Sequence, residues 1–191
     1  MVGGLSPEMP GILAAMRLSA GLGVHLRGLA DELLVKDFPG ATLTRAEREL
    51  LATAVSGAND CFYCMDSHGA FASELMKREG TSEREAIVDS VKMGGSSGVS
   101  PKMQALLHIA RTVQRRALDL TRADVDRALK AGASDADTQL AVLISSGFSM
   151  YNRMVDGLRS ATPASAEGYR GRATEIADHG YSDSRIKTIP R

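Results

Sequence analysis

The only two cysteines of this 191-residue chain stand together as Cys61-Phe62-Tyr63-Cys64, with His68 four residues beyond the second and Glu49 twelve before the first. On a helix, spacings of three, four and seven residues bring Cys61, Cys64 and His68 to one face, so two thiols and a base share a small volume. A cysteine is a nucleophile only as thiolate, and its free pKa of about 8.5 falls near a helix N-terminus or a proton acceptor. Asn59 and Asp60 read as caps of the helix carrying the pair, which would place Cys61 in the first turn. Cys64 is expected one turn deeper and His68 another turn on, able to take the Cys64 proton directly or through one water. Glu49 is expected to orient His68 or to receive its proton. Such an arrangement suits attack on a peroxide O–O bond: one sulfur becomes a sulfenic acid, the other condenses with it to a disulfide, and an external thiol reopens the bridge.

Other readings of the same residues carry less. A buried free cysteine is often a small hydrophobe, but here both cysteines fall beside a histidine. Cys61, Cys64, His68 and Glu49 could supply four zinc ligands, yet structural zinc sites usually draw two pairs from separate segments, so no metal is expected. Attachment of c-type haem needs histidine directly after the second cysteine, where Met65 stands. Glu49, flanked by Glu47 and Arg48, also fits a solvated helix face. His25, His108 and His179 have no partner motif, Arg153 reads as an ion-pair former, and the nine methionines read as core filler.

The elements that must position the cluster read as helices throughout, because apolar positions recur at three- and four-residue spacing as far as about Leu158. The pattern predicts an all-α chain. Helices are expected over Pro10 to Ala20 and Val24 to Val35, with a breaker at Asp37-Phe38-Pro39-Gly40. A third opens at Thr44 with Glu47 as capping-box partner, buries Leu50, Leu51, Ala54 and Val55, and ends near Gly57. The cysteine helix runs to about Arg78. Another opens at Thr81 or Ser82 and stops at the glycine-rich connector 94–98, and the next runs from Pro101 to about Leu118. Thr121 with Asp124, and Ser134 with Asp137, repeat the capping pattern for the last two. The sequence therefore divides into a helical domain over 1–162 and a polar C-terminal arm over 163–191, read as extended or a short helix and as a candidate for oligomer contacts. Leu50 to Gly57 faintly echoes Leu140 to Gly147, which would set Tyr151, Met154 and Leu158 opposite the reactive positions.

Length and 43% hydrophobic content suit one compact domain with a real core. A net charge of zero gives no long-range field for nucleic acid or an anionic membrane, and it is compatible with self-association. The N-terminal stretch lacks the basic start of a signal peptide, no window is apolar enough to span a bilayer, and a lone C-x-x-C suits a reducing compartment. The cytoplasm is the expected setting.

The stretch LTRAERELLATAVSGANDCFYCMDSHGAFA from Leu43 resembles the AhpD-like alkylhydroperoxidases of the carboxymuconolactone decarboxylase superfamily, with Glu49, Cys61, Cys64 and His68 at the signature positions. The later segment LTRADVDRALKAGASDADTQLAVLISSGFSMYNRMVDGL, including Asn152-Arg153, is similar to the second half of its peroxidase-related members. The resemblance implies an AhpD-like helical bundle assembled as a homo-oligomer, trimeric or hexameric. It implies Cys64 as peroxidatic thiol, Cys61 as resolving thiol, Glu49 with His68 as proton relay, a hydroperoxide substrate, a thiol or dithiol reductant, and no cofactor. Some relatives carry a histidine where this chain has Tyr63, a much weaker base. The superfamily also admits a decarboxylase-like lyase, and a redox-sensing or zinc-binding module is the non-enzymatic alternative.

Overall fold

The computed structural model describes residues 9–163, 165 and 167–184. Among these the chain forms nine α-helices and no β-strand: α1 (Ile12–Leu18), α2 (Ala20–Leu34), α3 (Arg45–Ala58), α4 (Phe62–Arg78), α5 (Arg84–Lys92), α6 (Pro101–Arg116), α7 (Arg122–Lys130), α8 (Asp135–Gly157) and α9 (Glu167–His179). A 3₁₀ turn at Ala117–Asp119 follows α6. No helix among the described residues is long and apolar enough to cross a membrane.

The centre is α3, which packs against α4, α5, α6 and α8. It starts where its capping box predicts, with Thr44 Oγ1 accepting from Glu47 N at 3.2 Å and Thr44 N donating to Glu47 Oε2 at 3.0 Å. Leu50, Leu51, Ala54 and Val55 are buried, but so are Arg48, Glu49, Thr53 and Ser56, because α3 has neighbours on nearly every side. Glu49 is therefore no surface charge; it is 0% exposed. The boxes at Thr121/Asp124 and Ser134/Asp137 likewise open α7 and α8. Asp137 reaches further, accepting from Thr42 N at 2.7 Å, Thr42 Oγ1 at 2.8 Å and Leu43 N at 3.1 Å, so it ties the loop before α3 to the start of α8.

Several expected boundaries move for identifiable reasons. The break between the first two helices falls at Ser19, whose extended backbone ends α1 and whose hydroxyl accepts from Leu22 N at 3.3 Å; α2 thus begins four residues before Val24. Helix α5 opens at Arg84 with no side-chain cap, so neither Thr81 nor Ser82 starts it. The cap expected of Asn59 or Asp60 is absent. Asn59 closes α3, Asp60 takes a left-handed turn conformation at φ 57°, and Cys61 itself is the N-cap of α4. Cys64, not Cys61, therefore lies within the first turn of α4.

The described part of the expected C-terminal arm is a 13-residue helix, α9, folded back on α4 with Tyr169, Ala173, Ile176 and Ala177 buried. Residues 185–191, with the Ile189-Pro190-Arg191 end of that arm, lie outside the described residues. At the other end, Gly11 N donates to Ala161 O at 2.8 Å, tying the segment before α1 to the chain beyond α8.

Candidate active site

The turn from α3 into α4 is built around Asn152 of α8. Its Nδ2 donates to Ser56 Oγ at 3.0 Å, and its Oδ1 accepts from Asn59 Nδ2 at 2.9 Å. Gln114 Nε2 donates to Asn59 Oδ1 at 2.9 Å, so both ends of the Asn59 amide are occupied and unavailable for capping. Cys61 N then donates to Ser56 O at 3.0 Å, which seats the first cysteine against the end of α3. Both thiols are free and buried, with Cys61 0% and Cys64 3% exposed. Tyr63, Val155 and Tyr169 pack around them.

The neighbouring Cys61 thiol first, and burial second, push the Cys64 thiol well above its ordinary value, while Asn152 opposes both. Burial likewise holds the Tyr63 phenol up.

Beyond the thiols lies a buried triad. His68 Nδ1 is 2.7 Å from Glu49 Oε2. Since a carboxylate only accepts, the ring proton belongs on Nδ1, which leaves the Nε2 lone pair free. The imidazole is gripped edge-on by Phe148, with ring centroids 4.5 Å apart, and by Phe71 at 5.3 Å. The third member was not legible in the sequence. Tyr181 donates its O–H to Glu49 Oε1 at 2.6 Å and lies 3.3 Å from His68 Nδ1. Burial, and then the Glu49 charge, push the Tyr181 phenol well above its usual range, so it stays protonated as a donor.

His68 and Cys64 line one small apolar pocket of about 40 Å³, closed by Ile12 and Met16 of α1, Tyr63, Phe148, Tyr151 and Tyr181. Cys61 is not part of its wall. Gly11 lies flat on the Tyr63 ring, where an added Cβ would fall 1.9 Å from Cε1, so the close approach requires glycine. The structure thus brings Cys61 and Cys64 together, and separately Glu49 and His68, and a single pocket joins Cys64 to His68. Among the described residues, no group of three or more His, Cys, Asp or Glu side chains is arranged to hold a metal ion.

Residues 27–87 match the carboxymuconolactone decarboxylase family. No curated protein matches the sequence. Among solved structures, the fold is similar to the alkylhydroperoxidase AhpD core of a peroxidase-related protein from Ralstonia eutropha JMP134, 24% identical, with a TM-score of 0.70 and an alignment covering 81% of this chain and 77% of that one. It is also similar to a peroxidase-related protein from Silicibacter sp. TM1040, 23% identical, with a TM-score of 0.70 and coverage of 85% and 79%. The family match spans Glu49, Cys61, Cys64 and His68 but neither Asn152 nor Tyr181. The chain thus has an AhpD-like helical fold, and its segment 27–87, which carries both cysteines, is similar to the carboxymuconolactone decarboxylase family.

Proposed function

We propose that the protein is a thiol-dependent peroxidase that reduces a hydroperoxide at Cys64. The observation that carries this reading is the shared pocket: Cys64 is the cysteine in its wall, and His68, held by a buried carboxylate, is the base in the same wall. His68 Nε2 takes the Cys64 proton, and the thiolate attacks one peroxide oxygen. The O–O bond breaks with its electron pair on the departing oxygen, which takes the proton from His68 and leaves as alcohol or water. Cys61 then attacks the Cys64 sulfenic acid, water departs, and the disulfide forms. A thiol or dithiol reductant, itself oxidised, restores both thiols.

Acidity alone does not favour Cys64, whose thiol is held up by Cys61 and by burial. Access supports the assignment to Cys64, because a thiolate that cannot meet the substrate does no work, and the raised thiol is the reason a neighbouring base is needed. Room in the pocket limits the substrate: at about 10–15 Å³ per water, 40 Å³ suits hydrogen peroxide or a short alkyl hydroperoxide. The need for a thiol reductant supports a reducing, cytoplasmic setting, and we propose a homo-oligomer, to which the arm over 163–191 contributes.

The test is to add hydrogen peroxide, then a bulky aryl hydroperoxide, to the fully reduced protein and to count thiols and peroxide together. The proposal expects loss of both thiols per hydrogen peroxide consumed, and slower reaction with the bulky reagent. Retention of both thiols in excess hydrogen peroxide would refute it and favour the lyase alternative.

A further inference from the structure

We infer that Tyr181 is a positioning residue of this site: its hydroxyl, delivered by a turn that Asp31 clamps, fixes the Glu49 carboxylate so that His68 presents Nε2 to Cys64. The inference rests on the peroxidase reading for its kinetic consequence, but its geometry is independent of that reading. A fully buried carboxylate needs a donor on each oxygen to stay charged and oriented. Here His68 Nδ1 takes Oε2 and the Tyr181 hydroxyl takes Oε1, at 2.7 and 2.6 Å. Without the phenol, the buried Oε1 would lose the donor it has, and the carboxylate would be free to rotate or to take up a proton.

The chain spends several specific contacts on placing that hydroxyl. The Arg45 guanidinium donates to Ile176 O at 2.8 Å and Ala177 O at 3.0 Å, closing the end of α9. Gly180 then reverses the backbone at φ 72°, and an added Cβ would stand 2.9 Å from Asp31 Oδ1. Tyr181 N and Ser182 N donate to the two oxygens of Asp31 at 2.7 and 2.9 Å, and Ser184 Oγ donates to Tyr181 O at 3.0 Å. Asp31 is itself buried, near the end of α2. A tyrosine serving only to fill the core would need none of these backbone clamps, and its hydroxyl would not have to meet a carboxylate that already has a histidine.

The charged and titratable groups around the triad are Asp31 of α2, Arg45 of α3, Tyr63 and Cys64 of α4, with Cys61 at its cap, Tyr151 and Asp156 of α8 and Arg172 of α9, while α1 adds only Ile12 and Met16. Removing one hydrogen-bond donor from an anionic pair makes proton uptake by the pair easier, whatever the fixed background from the others.

Tyr181→Phe keeps the ring and deletes the donor. His68 ring ¹⁵N signals followed against pH should show proton uptake by the Glu49–His68 pair moved up by about one pH unit. The acid limb of the hydrogen peroxide oxidation rate should move by the same amount, with the high-pH plateau retained. Asp31→Asn, which loosens the turn without touching the hydroxyl, should shift both in the same direction by less, and it carries the test if Tyr181→Phe does not fold. An unmoved midpoint with a rate lowered equally at every pH would reduce Tyr181 to packing and overturn the inference. If the ¹⁵N midpoint moves while wild-type protein fails to consume peroxide, the peroxidase reading falls and the inference stands; peroxide turnover with an unmoved midpoint gives the reverse.

Discussion

Replacing Glu49 by Gln removes one charge from the centre of the site with almost no change in shape. The buried carboxylate accepts from both Tyr181 and His68, at 2.6 and 2.7 Å. An amide has one acceptor oxygen, so either the Tyr181 hydroxyl or His68 Nδ1–H loses its partner. In both orientations the charge that stabilises the imidazolium during proton transfer is gone. A unit-charge pair near 4 Å at an effective dielectric constant near 20 is worth about 4 kcal/mol. Taking half to all of that, at about 1.4 kcal/mol per decade, the oxidation of Cys64 should slow by about 30- to 1000-fold at neutral pH. Stability should change by less than about 2 kcal/mol, because the lost charge-assisted bonds are offset by removal of a buried charge. The assay is quenched-flow oxidation by hydrogen peroxide with thiol counting at neutral pH. Oxidation of Glu49→Gln within about threefold of wild type at neutral pH would refute the claim that a charged Glu49–His68 pair is the base.

Three further outcomes follow from the structure. Cys64, Tyr63 and Tyr181 all have raised pKa values, so the folded state holds more protons than the unfolded one at alkaline pH and stability must fall as pH rises past the ordinary values of 9.0 for the cysteine and 10.0 for the tyrosines; a melting temperature unchanged above that range would contradict their burial. Asp137→Ala strips acceptors from Thr42 N, Leu43 N and Ser134 N and should cost about 3 kcal/mol or more in denaturant unfolding, whereas a loss under about 1 kcal/mol would mean the tie between the pre-α3 loop and α8 is not used. Gly11→Ala drives a Cβ into the Tyr63 ring at a φ of 55°, so α1 must lift from the pocket. That variant should admit bulky hydroperoxides and thiol reagents faster than wild type, and unchanged alkylation kinetics would show that α1 does not cover the site.

What could be read from the sequence, and what could not, divides by distance along the chain. The boxes at Thr44, Thr121 and Ser134 are local, since a side chain and a backbone N–H three residues away settle them, and all three form. The relation among Cys61, Cys64 and His68 is likewise a matter of helical period, whereas Glu49 as partner of His68 was one of two local readings, the other a solvated helix face, and it was the family resemblance that favoured it. The cap at Asn59 failed because that amide is captured by Asn152, 93 residues away, and by Gln114, 55 away, and local propensity gives no sign of either. That failure matters for the chemistry, since it moves Cys61 from the first turn to the cap and puts Cys64 in the turn instead. Tyr181 lies 132 residues from Glu49, beyond a helix whose polar composition reads as an arm. Two hints were present without being decisive: Gly180, placed where a helix-ending glycine belongs, and a tyrosine directly after it. Tyr151 also stands on the pocket wall, with its hydroxyl donating to Leu26 O at 2.7 Å, and the faint echo between Leu50–Gly57 and Leu140–Gly147 does not account for it, since it pairs Tyr151 with Cys61, which is not in that wall.

The account stands on Cys64 being the sulfur that meets the peroxide, and trapping the oxidised intermediate in two single variants tests it most directly. Cys61→Ser and Cys64→Ser are each treated with one equivalent of hydrogen peroxide and a sulfenic-acid reagent, and the adduct is located by mass spectrometry. The account predicts a stable adduct on Cys64 in Cys61→Ser and no peroxide-dependent adduct in Cys64→Ser. A sulfenic acid on Cys61 in Cys64→Ser, formed at the wild-type rate while Cys61→Ser stays reduced, would contradict it by making the capping cysteine the nucleophile.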